Sequence, residues 1–274
     1  MAIDQLLELL AKSQLVRRPE LDALREQLTP DEAADPNVLI ERLVAADTIT
    51  PWQGKQLLAG QHGFFLGNYK LLEQIGVGGM GAVYKAKQIG LDRVVALKIL
   101  NPELTKKKQA VARFEREMRL VSVLNHPNIV KAYDAQQISG YYVLVMEHVE
   151  GRNLNQWLRH HGAAPVWWAC ECMRQAAVAL EHGHRHGLVH RDIKPGNLLV
   201  QAEDYESWPT LKVLDLGLAR TADDEQADDG QRLTRQGQVL GTPDYIAPPS
   251  RCWTHARPTS GLISSVSGRA CTSC

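Results

Sequence analysis

Asp192 stands five residues before Asn197 in the run His190-Arg191-Asp192-Ile193-Lys194-Pro195-Gly196-Asn197. A carboxylate there can take the proton of a hydroxyl, while the amide oxygen of Asn197 can hold a hard cation. Asp215, in Asp215-Leu216-Gly217, stands eighteen residues after Asn197 and offers a second metal-binding oxygen. Upstream lies Gly76-Val77-Gly78-Gly79-Met80-Gly81-Ala82-Val83. Glycine lets a backbone approach phosphates closely enough for its amide hydrogens to bind them. Together these are the parts required to move the γ-phosphate of ATP onto an alcohol.

A glycine run alone is a weak signal. A dinucleotide-binding fold would open a helix after the third glycine, whereas Ala82-Val83-Tyr84 favours a strand. The stretch from His190 to Asn197 resembles the catalytic loop of protein kinases, in the serine/threonine version where lysine follows aspartate by two. On these motifs, in this order and at this spacing, the chain is identified as a member of the bacterial, eukaryotic-like serine/threonine protein kinases. The resemblance implies an ATP site built from Ile75, Gly76, Val77, Gly78, Gly79, Met80, Gly81, Val83, Ala96, Lys98, Met146, Glu147 and Val149.

Within that site the resemblance gives each residue a role. Lys98, in Val95-Ala96-Leu97-Lys98, would contact the α- and β-phosphates and pair with Glu117, nine residues before His126-Pro127-Asn128. Glu115 is the competing partner. Val145-Met146-Glu147-His148-Val149 looks like the hinge that binds adenine through backbone groups, with Met146 at the back of the pocket. Asp192 would orient the substrate hydroxyl and accept its proton, and Lys194 would steady the transferring phosphate. Asn197 and Asp215 would hold Mg²⁺; Leu216 replaces the commoner Phe and leaves the metal ligand in place. Arg191 would meet a phosphate on the segment after Asp215, for which Thr234 is the candidate phosphosite. Thr242, in Gly241-Thr242-Pro243-Asp244-Tyr245, resembles the substrate-positioning turn. The implied partners are ATP, Mg²⁺ and proteins bearing Ser or Thr hydroxyls, the chain itself among them.

Elements must position these groups. Residues 1–62 carry helical spacing in Ile3, Leu6, Leu7, Leu10 and again in Leu21, Leu24, Leu28. Thr29-Pro30, Asp35-Pro36 and Thr50-Pro51 are helix starts, because proline suits the first turn. This region reads as a packing appendage on the domain that begins at Tyr69, with a protein-contact module as the alternative. Gly60, Gly63 and Gly67 mark a linker over 63–68. Residues 70–75, 82–86, 93–100 and 141–147 read as strands, 110–124 and 165–184 as helices, and 198–201 and 211–214 as short strands. The expected class is α+β: a two-lobed kinase-like fold over 69–248, with an N-lobe at 69–147 and an incomplete C-lobe at 148–248.

After Pro248 the resemblance stops. Residues 249–274 lack apolar periodicity and hold three of the five cysteines. Codons allowed for Pro249 onward, read one frame over, spell a kinase-like continuation. A frame shift after Pro248 is therefore the expectation, with a disordered tail and weak activity for the chain as it stands. The alternative function is a catalytically inactive nucleotide-binding fragment or interaction module. Composition adds exclusions. Zero net charge gives no bulk field toward nucleic acid. No apolar run is long enough to span a bilayer, and Met1-Ala2-Ile3-Asp4 does not open a signal peptide. A cytoplasmic location is expected. Cys271-Thr272-Ser273-Cys274 has redox spacing without strand–helix context, and His182, His184 and His186 read as a solvated helix end.

Overall fold

The computed structural model describes residues 1–78, 81–101, 118, 123–190, 192–214 and 220–221. The chain divides into two compact units, Met1–Lys107 with Ala135–His148, and Lys108–Asp134 with Val149–Cys274.

The first unit begins with five helices: α1 (Ile3–Ser13), α2 (Arg18–Glu26), α3 (Pro30–Ala34), α4 (Pro36–Ala45) and α5 (Pro51–Leu58). The three starts read from cap-plus-proline pairs are present. Thr29 accepts from the Glu32 N–H at 3.3 Å, Asp35 from Asn37 at 2.9 Å and Thr50 from Gln53 at 3.1 Å. Each bond satisfies a donor that the first turn leaves unpaired. The helices enclose Leu6, Leu10, Leu39, Leu43 and Leu57, with Phe64 closing the cluster. Helices α4 and α5 approach closely at Gly54, where a Cβ would sit 2.6 Å from Ile40 Cγ2.

A six-stranded sheet comes next, in the order β1-β2-β3-β4-β6-β5. Its strands are β1 (Phe65–Leu66), β2 (Tyr69–Gly78), β3 (Gly81–Gln88), β4 (Arg93–Leu100), β5 (Ala132–Ile138) and β6 (Tyr141–Glu147). The stretch read as a linker is structured. Phe64 is buried with the helices, and Leu66 is buried with the sheet, because both are large apolar residues between the turn glycines Gly60 and Gly67. Strand β2 carries two bulges, where Leu72 and Ile75 have no opposite number in β3. An extra residue bends a strand and raises its twist.

The second unit holds α6 (Leu154–His161), the 20-residue α7 (Val166–Arg185), and small sheets β10-β9-β7 and β11-β8. Here β7 is Arg152–Asn153, β8 Leu188–Val189, β9 Leu198–Gln201, β10 Thr210–Val213 and β11 Arg220–Thr221. Trp168, Cys172, Ala176 and Ala179 of α7 pack on Leu198, Val200 and Leu211 of β9 and β10. The Trp157 and Trp168 rings stack at 5.5 Å. No helix among the described residues is long and apolar enough to cross a membrane.

The close passage at Gly54 generates a prediction. Gly54→Val forces two branched methyl groups against Ile40 and lowers unfolding stability by about 2 kcal/mol. A shift of the urea midpoint, at unchanged slope, measures it.

Candidate active site

In the first unit the antiparallel register sets opposite one another Gly76 and Val83, Val83 and Lys98, and Ala96 and Met146. Side chains two apart share a face of a sheet. Gly76, Val83, Ala96, Lys98 and Met146 therefore line one face. Tyr84, Leu97 and Val145 point to the other, where Leu97 and Val145 are buried. The glycine run has two kinds of glycine. At Gly81, φ is +147° and a Cβ would collide with the Ile99 carbonyl oxygen, so the backbone itself demands glycine. At Gly78 a Cβ would meet nothing within 4 Å among the described residues, so the backbone there is open to approach. Ile75 is a bulge residue and Val77 is 77% exposed, so neither side chain belongs to a core. Met146 and Glu147 end β6, and Val149 lies in the second unit.

In the second unit the loop after β8 is drawn together by side chains. Asp192 is only 6% exposed. Its Oδ2 accepts from Lys194 Nζ at 2.8 Å and from Asn197 Nδ2 at 3.1 Å. Asn197 Nδ2 also donates to the Asp192 carbonyl at 2.8 Å, closing the loop on itself. The loop is fastened to Leu214, the residue before Asp215. His190 Nε2 donates to the Leu214 carbonyl at 2.9 Å, and the Leu214 N–H donates to the Asn197 carbonyl at 2.8 Å. With its proton on Nε2, His190 accepts the Asp192 N–H at Nδ1 at 3.4 Å, so one tautomer serves both bonds.

The donor set of this loop fits a hard cation such as Mg²⁺. Asn197 spends its amide hydrogens on Asp192, and its Oδ1 has no partner among the described residues. A hard amide oxygen beside a carboxylate suits Mg²⁺. The ammonium of Lys194 places positive charge against the carboxylate that would take a hydroxyl proton. Gly79, Met80, Glu117, Arg191, Asp215, Thr234 and Thr242 lie outside the described residues.

Sequence reading missed a buried amide that ties α7 to β10. Gln175, on the buried stripe of α7, accepts from Asn128 Nδ2 and from the Leu211 N–H, both at 2.8 Å. It donates to Glu171 at 2.8 Å and to the Pro209 carbonyl at 2.7 Å. Asn128 Nδ2 adds a bond to the Leu211 carbonyl at 2.7 Å. The available signal was an amide among the apolar residues Met173, Ala176 and Ala179 of a long helix. Hydrogen bonds from Arg174, chiefly, hold the Glu171 carboxyl down at about 2.

At the end of α7, His186 is exposed as a solvated end would be, but His182 is half-buried. Its ring lies tilted 5.1 Å from that of His126 and 4.6 Å from that of His186, and its Nε2 is buried with no hydrogen-bond partner among the described residues. Residues 182 and 186 are one helical turn apart and share a face. His126 Nδ1 accepts the Asn128 N–H at 3.1 Å, which a proton on that nitrogen would break.

The sheet with its glycine run and lysine, and the helical unit with its aspartate–lysine–asparagine loop, define the protein kinase class of fold. The chain belongs to the protein kinase domain family, whose model matches residues 69–250. It is 40% identical over 181 residues to the serine/threonine-protein kinase pkn3 of Myxococcus xanthus, covering 66% of this chain and 32% of that protein. To PrkC of Bacillus subtilis it is 38% identical over 182 residues, covering 66% and 26%. To PknA of Mycobacterium tuberculosis it is 37% identical over 205 residues, covering 72% and 44%. The chain thus spans less than half the length of each of these relatives. The PknI kinase domain of Mycobacterium tuberculosis superposes with a TM-score of 0.56 at 23% identity, over 76% of this chain and 73% of that one, a likeness of fold.

The histidine cluster generates a pH prediction. Burial, and then the neighbouring His182, lower the pKa of His126 below the ordinary imidazole value. The unfolded chain therefore binds a proton first as pH falls. The contribution is present above about pH 6.5 and is lost as pH drops through the lowered folded value. Unfolding stability should fall between about pH 7.5 and 5.5, and His126→Asn should flatten that dependence. Glu171 does not confound the window, since it stays ionised far below it. Urea titrations at several pH values measure the difference.

Proposed function

We propose that this chain is a protein serine/threonine kinase, transferring the γ-phosphate of ATP to a Ser or Thr hydroxyl of a protein, itself included. The observation that carries the reading is the closed cluster of Asp192, Lys194 and Asn197, tied through His190 to Leu214. Its relatives' names and the family match support the same class.

In this reading Asp192 receives the substrate hydroxyl and accepts its proton as the oxygen attacks. Lys194, already at 2.8 Å from that carboxylate, sets its ammonium beside the phosphoryl group in transit. Lys98 would hold the α- and β-phosphates, Glu117 would be its partner, and the backbone of the glycine run would bind the phosphates. Met146, Glu147 and Val149 bound the adenine end. Asn197 Oδ1 and Asp215 would hold Mg²⁺, which would supply charge neutralisation for the phosphate oxygens. Thr234 is the self-modification site that Arg191 would read, and Thr242 positions the substrate. The reaction takes place in the cytoplasm, where ATP and Mg²⁺ are supplied.

Asp192→Asn should lower phosphate incorporation from labelled ATP by about 10³-fold while leaving nucleotide affinity within about twofold. Chelation of Mg²⁺ should abolish incorporation in the unaltered chain. Nucleotide binding without any incorporation by the unaltered chain would support the inactive nucleotide-binding fragment instead.

A further inference from the structure

We propose that α5 is a positioning element for the phosphate-binding strands: Thr50 and Gln53 grip the bulge of β2 and fix the register that presents the glycine run. This rests on the reading of residues 76–81 as a phosphate site.

Thr50 and Gln53 form a capping box. Thr50 Oγ1 accepts the Gln53 N–H at 3.1 Å, and Gln53 Oε1 accepts the Thr50 N–H at 2.9 Å. Capping uses only the acceptor of each side chain, so each keeps a donor. Both donors go to strand β2: Thr50 Oγ1 to the Leu72 carbonyl and Gln53 Nε2 to the Leu71 carbonyl, each at 2.6 Å. Gln53 is wholly buried, and its two ends are both used.

These carbonyls need a partner from outside the sheet. Leu72 is the extra residue of the first bulge, where the ladder to β3 is interrupted. On the other side β1 is two residues long; its pairing with β2 ends at Lys70, and the Leu71 N–H makes one further bond to the Phe64 carbonyl at 2.7 Å. Beyond that point β2 is an edge, and α5 takes the place of the absent strand. The second bulge, at Ile75, immediately precedes Gly76.

The same helix also holds the returning strand. Trp52 lies edge-on to Phe64 at 5.8 Å and to Tyr84 at 5.9 Å. Tyr84 neighbours Val83, the residue opposite both Gly76 and Lys98. Tyr84 points to the face away from Lys98, so α5 fastens both arms of the glycine turn without covering the face that would take phosphate. Thr50, Trp52 and Gln53 are positioning residues for that turn.

The test uses the full chain and two readouts, amide exchange over residues 70–84 and the KM for Mg-ATP. Gln53→Glu keeps the capping oxygen and loses the donor. It should speed exchange of 73–78 about tenfold and raise KM about fivefold, with kcat within about twofold. Thr50→Asp, which caps but cannot donate, should do the same to a smaller extent and serves if the first variant does not fold. Thr50→Ser, which keeps the hydroxyl, should match the unaltered chain. Arg42→Ala, which breaks the Glu32 pair within the helices and leaves the grip intact, should change neither readout. Folded Gln53→Glu and Thr50→Asp proteins with unchanged exchange would overturn the proposal. So would an equal effect of Arg42→Ala, which would mean a general loss of stability. If the unaltered chain binds no nucleotide, the phosphate-site reading fails, and exchange alone decides whether the grip exists.

Discussion

A backbone N–H or C=O buried without a partner costs about 1–3 kcal/mol, and side chains in this protein supply partners that the backbone lacks. His190 serves the Leu214 carbonyl, Asn128 the Leu211 carbonyl, Gln175 both the Leu211 N–H and the Pro209 carbonyl, and Gln53 the Leu71 carbonyl. Each lies where regular pairing gives out: at a loop, on the open side of an edge strand, or at a bulge. The chemistry depends on those same places. Asp192 and Asn197 sit on a loop because their side chains need approach from outside, and a loop holds its shape only when its own polar groups are tied down. The bond from His190 to Leu214 ties the strand leading to Asp215 to the loop that carries Asp192.

The sheet of the first unit divides labour between its faces by period two alone. Lys98, Ala96, Met146 and Val83 share one face, and Leu97, Val145 and Tyr84 alternate to the other. The second face is closed by Trp52, Leu66, Tyr69 and Leu71. One face is thus packed and the other keeps its lysine, so a substitution on either acts through a different property. The histidine cluster of the second unit obeys a related logic. Burial and the neighbouring His182 hold the His126 pKa below the ordinary imidazole value, so the neutral ring suits that packed position.

Much of this was legible in the residues. Cap-plus-proline pairs marked three helices because the first turn has a fixed chemical need, and Thr29, Asp35 and Thr50 meet it. The strand runs 93–100 and 141–147 and the helix 165–184 were found to within a residue, since their apolar spacing is long and regular. Asp192, Lys194 and Asn197 were brought together as their spacing implied. What stayed hidden has physical reasons. Strand β5 reads Ala-Tyr-Asp-Ala-Gln-Gln-Ile and shows no alternation. Helix α6 is eight residues long, too short for a period to stand out. The roles of Gln53 and Gln175 depend on which carbonyls lack partners in the folded chain, and linear sequence does not contain that information. The region 63–68 read as a linker from its glycines, and the apolar run Phe64-Phe65-Leu66 overrode them.

The proposed reading asks two separate things of the chain: that the Lys98 face of the first unit takes phosphate, and that Asn197 Oδ1 in the second unit takes a cation. A crystal structure of the full chain with Mg²⁺ and a non-hydrolysable ATP analogue tests it most directly. The account predicts phosphates over the backbone at Gly78 and against Lys98, with the cation on Asn197 Oδ1. A nucleotide whose phosphates avoid Lys98, or a cation held away from Asn197, would contradict it.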